Sequence, residues 1–362
     1  MKKTLLATAI VSAIAAMGAT TNAQAATVYD QDGTKMDIYG RIAMGIRGGG
    51  PEFNDDDQRV DNSAEFVDVY SRLGLRLSHE VTSDLTAFGR LEWRFDGDEA
   101  NTDSGFSQIR QSFIGLQSKQ FGTVQAGNFD SMYNTFVSLP FDVYIDEGLE
   151  FQKHPKQSRG DSIGYYTPDL DGFTAFLQLK HYSERGLNKD GDRFDEDGEI
   201  VGVSGEGNVV AAQGGVRYAE GPVTIGLGFV DDVVRGGGNG EMLYGLIGSY
   251  DINDQFTARL GYETRGDDNV RGGGFDTWGL GGTFTTGPWA FNADIYDVSP
   301  DGGDSRTSWA LGSYYKISSS FDVFAELYQA DQATIRIFED DELVSTADGD
   351  DIQYLVGARY HF

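Results

Sequence analysis

Over 35–47 the even positions read Met36, Ile38, Gly40, Ile42, Met44 and Ile46, while the odd ones include Asp37, Tyr39, Arg41 and Arg47. Period two marks a strand with two unlike faces. A second such strand sets Val67, Val69, Leu73, Leu75 and Leu77 against Asp68, Tyr70, Arg72 and Arg76. A third sets Leu85, Ala87, Leu91, Trp93 and Phe95 against Thr86, Arg90, Glu92 and Arg94. After a less regular middle the pattern returns over 223–229, 256–262, 278–284, 289–295, 321–327 and 352–362. Short turns such as Ala219-Glu220-Gly221-Pro222, Asp251-Ile252-Asn253-Asp254 and Thr286-Gly287-Pro288 alternate with longer acidic, Gly-rich connections.

Roughly sixteen segments of this kind fit the chain, each near the ~10 residues a tilted strand needs to cross a bilayer. An even number of antiparallel strands closes on itself and satisfies every backbone N–H and C=O without water. A soluble β-sandwich also alternates, so the aromatic residues decide. Trp93, Tyr218, Trp289, Tyr315, Tyr360 and Phe362 fall at strand ends, as interfacial girdles require. The predicted fold is therefore all-β: a 16-stranded antiparallel transmembrane β-barrel, apolar toward lipid and polar toward a water-filled lumen. The low mean hydropathy of -0.37 fits, because only alternate residues face lipid.

Lys2 and Lys3, an apolar run from Leu5 to Met17 and the small-residue site Ala23-Gln24-Ala25 have the layout of a secretory signal. The expected units are a signal peptide over 1–25 and a barrel over 26–362. Without cysteine the chain has neither disulfides nor thiolate metal sites nor a cysteine nucleophile. A net charge of -29 argues against nucleic acid and toward cations as company. The acidic run 188–199 lacks the glycine placement of a calcium loop and reads as an external loop. His79, His154, His181 and His361 are scattered without metal-ligand or catalytic spacing, so no metal site, cofactor or catalytic residue is predicted.

The stretch 26–41, ending Met36-Asp37-Ile38-Tyr39-Gly40-Arg41, resembles the first strand of the trimeric general porins of enterobacteria and vibrios. Tyr70-Ser71-Arg72-Leu73-Gly74, then Arg110-Gln111-Ser112-Phe113-Ile114-Gly115-Leu116, then 121–128 follow in that family's order and approximate spacing. The ending Gly357-Ala358-Arg359-Tyr360-His361-Phe362 is similar to its last strand. The resemblance implies a homotrimer in the cell outer membrane, in contact with lipid and lipopolysaccharide, with a third long loop over about 129–157 folded into each barrel. It also implies that Phe362 is part of the signal read by the barrel assembly machinery.

In this family acids on the third loop face a basic row on the opposite wall. The matching positions are Arg41, Arg72, Arg110 and Arg159, and alternation independently puts Arg41 and Arg72 on the polar face. Phe141-Asp142-Val143-Tyr144 departs from the family's pattern after the Leu-Pro step, which leaves Asp142, Asp146, Glu147 and Glu150 as candidate acids. Ala126-Gly127-Asn128 stands where the family often carries another arginine.

The function this implies is passive diffusion of ions and small hydrophilic solutes, and the acidic excess predicts that cations pass in preference to anions. A substrate-specific oligosaccharide channel is the alternative, and it needs an aromatic track such as Phe136, Phe141, Tyr144 and Phe151. An enzyme is not expected, because no ordered nucleophile and base stand out at a rim.

Overall fold

The computed structural model describes residues 25–50, 62–99, 105–106, 108–151, 160–182, 193–194, 200–202, 209–234, 237–330, 332–339, 342–349 and 352–362. The expected signal segment up to residue 24, Arg159, His154 and most of the acidic run 188–199 lie outside the described residues.

Sixteen antiparallel strands form one closed barrel. The first eight are β1 (Thr34–Gly49), β2 (Glu65–Asp68 continued by Arg72–Glu80), β3 (Leu85–Arg94), β4 (Gln108–Ser118), β5 (Gly122–Phe129), β6 (Gly160–Tyr166), β7 (Phe173–Tyr182) and β8 (Val209–Glu220). The rest are β9 (Val223–Asp231), β10 (Met242–Asp251), β11 (Phe256–Arg265), β12 (Phe275–Thr286), β13 (Trp289–Pro300), β14 (Arg306–Lys316), β15 (Phe321–Gln329) and β16 (Gln353–His361). Each pairs with its neighbours in sequence, and β16 closes the ring on β1 with Arg41 opposite His361. The N-terminal segment Ala26–Gln31 pairs with the same edge of β1 and so continues the line of β16. Backbone bonds between Gly40 and Phe362 of 2.8 and 3.1 Å complete the seam, and the Phe362 ring fills the space where a Cβ on residue 40 would stand.

The connections after the even-numbered strands, of two to six residues, gather at one rim; those after the odd-numbered strands, from the five residues 301–305 to the long 50–64, 95–107 and 130–159, belong to the other. The outer wall is apolar. Leu227, Leu246, Leu260 and Leu280 are each more than half exposed, and an apolar belt this wide needs lipid rather than water against it. Aromatic pairs edge both rims, including Trp289 with Tyr315 at 4.6 Å between ring centres and Tyr262 with Trp278 at 4.3 Å.

The second strand corrects the expected faces. Between the pairs Met44 with Asp68 and Arg41 with Arg72, β1 advances three residues and β2 advances four. The extra residue is a β-bulge, and it reverses which parity faces inward. Leu73, Leu75 and Leu77 keep the outer side, but Val67 and Val69 turn into the barrel and pack with Ala43, Tyr314, Phe324 and Leu355. Tyr70 occupies the bulge with φ of 60°, a left-handed conformation that costs a non-glycine residue about 1–3 kcal/mol.

Candidate functional site

The third long connection folds into the barrel and crosses it against the wall formed by β7 to β15. Its first turn is tied down by Gln178 Oε1, which accepts from the Met132 N–H at 2.7 Å, and by the Tyr133 hydroxyl, which donates to Glu263 at 2.7 Å. Phe141 and Phe151 meet Tyr296 of β13, with ring centres 5.6 and 5.7 Å away, in a cluster withdrawn from water. Farther along, Tyr144 donates to the Ala310 carbonyl at 2.9 Å, Asn292 donates to the Val143 carbonyl at 2.9 Å, and Tyr296 donates to the Gly148 carbonyl at 2.8 Å. Glu326 accepts from the N–H groups of Ile145 and Asp146 at 2.7 and 3.2 Å. Inward-facing glycines make room for this contact. A side chain on Gly245 would meet the Tyr133 hydroxyl, and one on Gly279 would meet the Phe151 ring.

Facing the loop, β1 to β4 carry a basic wall built around one acid. Glu92 on β3 is wholly buried and pairs with Arg90 at 3.0 Å, with Arg72 at 3.7 Å and with Arg110. The Tyr39 hydroxyl donates to Glu92 at 2.7 Å and accepts from Arg90 Nε at 2.6 Å. Arg76 lies over the Tyr39 ring at 4.2 Å. Clustered guanidiniums repel but cannot shed their protons, so a central carboxylate is the economical way to hold three of them together. Arg110 also reaches Asp130 at 3.5 Å. Among the described residues, Arg41 has no carboxylate within ion-pair distance; its Nε donates to the Tyr70 carbonyl at 3.0 Å.

Arg41, Arg72 and Arg110 are thus brought together on one wall. Arg110 arrives by a second irregularity, since Glu92 pairs with Gln111 and Trp93 with Ile109, which leaves Arg110 as the extra residue on β4. That bulge is why alternation is weak around it. Three participants go beyond the row expected from the resemblance: Glu92, Arg90 and Arg94, all on the polar parity of β3.

The candidate acids separate. Asp142 makes no ion pair among the described residues and lies within electrostatic reach of Arg110, Arg72 and Arg41. Burial in the narrowed lumen, helped by Asp130, pushes its carboxyl up to about 7, with the three arginines pulling the other way. Asp146 pairs with Arg47 at 2.9 Å and accepts from the Tyr70 hydroxyl. Glu147 borders a crevice lined by Glu326, Tyr328 and Tyr354. Glu150 lies against the far wall, bound by Arg306 at 2.8 and 3.0 Å, Ser308 at 2.9 Å and Tyr328 at 2.9 Å.

Three of the four loop aromatics are withdrawn from the lumen, and the fourth, Phe136, is partly buried. Phe141 and Phe151 are fully buried between loop and wall, Tyr144 nearly so, and Phe136 stacks on Phe176 with ring centres 5.0 Å apart. Their apolar faces are spent on attaching the loop, because a loop laid on a polar wall needs buried area to stay there.

Comparisons with known proteins agree on the architecture. The sequence profile of the Gram-negative porin family matches residues 7–334. A "Monosaccharide porin" of Halomonas sp is 32% identical over 190 residues, 50% of this chain and 50% of that protein. The chain therefore spans about half the length of the relatives it matches in sequence. Among solved structures, the anion-selective porin from Comamonas acidovorans superposes with a TM-score of 0.68 at 17% identity, covering 91% of this chain and all of that one. The trimer form of OmpT from Vibrio cholerae gives a TM-score of 0.63 at 16% identity, covering 91% of this chain and 100% of that one.

Proposed function

Since the chain belongs to the Gram-negative porin family and is a β-barrel of the outer membrane, we propose that it forms a water-filled channel for passive diffusion of ions and small hydrophilic solutes. The family's members are channels rather than enzymes. The observation that supports this reading is the inward loop, held by its own hydrogen bonds to one wall with Asp142 within electrostatic reach of Arg41, Arg72 and Arg110. Opposed charges across a narrow low-dielectric passage orient dipolar solutes and hinder apolar ones. Asp142 and the wall arginines, with Arg159 as their continuation, set the constriction; Asp146, Glu147 and Glu150 fix the loop's path.

The channel prefers cations at low ionic strength. The -29 excess concentrates cations at the mouths, whereas the constriction itself is rich in arginine. Long-range attraction fades once the Debye length falls below ~10 Å, near 0.1 M salt, so the preference weakens as salt rises. Removal of residues 1–25, recognition of Phe362 during assembly, contact with lipid and lipopolysaccharide, and assembly as a homotrimer belong to the same reading; the trimeric OmpT fold is the structural parallel for the last. Sugar-sized solutes fit it, as the name of the Halomonas relative suggests. Oligosaccharide specificity is not favoured, because Phe141, Tyr144 and Phe151 are buried and leave Phe136 alone of the four partly open.

Single-channel recording in a planar bilayer tests the proposal. Stepwise conductance closing in three equal steps is expected, with a cation-directed reversal potential at 10–100 mM salt, the range where the Debye length runs from ~30 to ~10 Å. Absence of conductance refutes the channel, and anion preference at the lowest salt refutes the charge argument.

A further inference from the structure

We propose that Tyr70 is the positioning residue of the constriction, a clasp between the basic wall and the tip of the inward loop. The inference rests on the channel reading and adds what sets its charge. Tyr70 is the residue inserted by the β2 bulge, and it holds a left-handed backbone with φ of 60° that glycine would adopt without strain. Bulges re-aim side chains, and strain of this kind persists where the surroundings over-determine it. Here they do. The Asp68 carboxylate accepts from the N–H groups of Ser71 at 2.7 Å and Gly97 at 3.2 Å, and Ser71 Oγ accepts from the Ala43 N–H at 3.0 Å.

So fixed, Tyr70 uses every part it presents inward. Its carbonyl takes the Nε of Arg41 at 3.0 Å. Its ring lies beneath the Arg94 guanidinium at 4.6 Å. Its hydroxyl donates to Oδ1 of Asp146, whose other oxygen pairs with Arg47 at 2.9 Å. Asp146 is thereby held between a hydroxyl and a guanidinium, with its side chain only 4% exposed, although its Oδ2 accepts no hydrogen bond. Among the described residues, the loop then offers Asp142 without an ion pair, within electrostatic reach of the Arg41 that Tyr70 holds. Tyr70 thus decides which loop acid a passing ion meets and anchors two of the wall arginines.

The test uses Tyr70→Phe, Asp146→Ala, the double variant and Tyr70→Gly in planar bilayers, beside the unaltered channel. Tyr70→Phe keeps the ring under Arg94 and removes only the hydroxyl. A hydrogen bond to a charged acceptor is lost, so occupancy of altered conductance sublevels should rise roughly tenfold, and permeability should shift toward cations as Asp146 comes free. In the Asp146→Ala background, which has no acceptor left for the hydroxyl, Tyr70→Phe should have no further effect, since the clasp is already broken. Tyr70→Gly suits the backbone better, so heat resistance should be kept or raised while selectivity shifts more than in Tyr70→Phe.

A silent Tyr70→Phe, or an effect of equal size in the Asp146→Ala background, overturns the clasp. So does a Tyr70→Gly barrel that unfolds readily with selectivity unchanged, which would make Tyr70 a packing residue. If the unaltered chain does not conduct, the channel reading itself has failed and the clasp falls with it.

Discussion

Replacing Glu92 by glutamine removes one charge from the centre of the basic wall while keeping its size and an acceptor for Tyr39. At 3.7 Å and an effective dielectric of ~20, the Glu92 attraction to Arg72 alone is about 4.5 kcal/mol. Part of that is returned, because the buried carboxylate no longer has to be stripped of water. The three arginines keep 16–19% of their side-chain surface open to the lumen, so water screens them, and a net loss of about 3 kcal/mol is expected, at the low end for a broken buried pair. The second effect is electrical. The added positive charge acts on an ion roughly 5 Å away in water with about 0.8 kcal/mol, reduced to about 0.5 by 0.1 M salt. Anions gain and cations lose by that amount, so the permeability ratio should move toward anions about fivefold. Reversal potentials in a salt gradient and heat resistance in detergent measure the two effects. A reversal potential that stays put or moves toward cations would refute the claim that Glu92 neutralises this wall.

Two further outcomes are expected. Asp142, raised to about 7, is charged above that pH and neutral below it; cation preference should fall from pH 8 to pH 6 with a midpoint near 7, and Asp142→Asn should hold the low-pH value throughout. In linkage terms the folded chain binds the extra proton between roughly pH 4 and 7, so the barrel gains stability as pH falls through that window, a gain absent in Asp142→Asn. Gly245→Val drives a side chain into the Tyr133 hydroxyl and away from its bond to Glu263; overpacking of about 1–3 kcal/mol should loosen the loop and alter conductance. An unchanged single-channel record with unchanged heat resistance would show that the loop does not lie on β10.

Along regular strands, one period is enough to place side chains. Arg41 and Arg72 face the lumen by parity alone, as do Arg90, Glu92 and Arg94, and the short turns around Gly221 and Gly287 mark hairpins by residue type. Arg110 escapes such reasoning, and so does the bulge at Tyr70, although the Tyr70 side chain stays on the polar face that alternation assigns it. Each is the one extra residue of a bulge, and extra is defined only against the partner strand, which a single sequence does not display. Val67 and Val69 fall on the unexpected side for the same reason.

The loop shows the division most clearly. Its position in the chain and its acids are legible, but whether Asp142, Asp146, Glu147 or Glu150 meets the wall depends on partners far away in sequence: Glu326 and Arg306 from late strands, Arg47 and Tyr70 from early ones. Alternation is a local property, because a strand repeats every two residues, and so the two-faced barrel is written in the sequence itself. Contacts between strands and across the lumen belong to the folded barrel: strand pairing decided that Glu92 would gather arginines from β2, β3 and β4, and the infolded loop decided that Asp142 would come within electrostatic reach of Arg41.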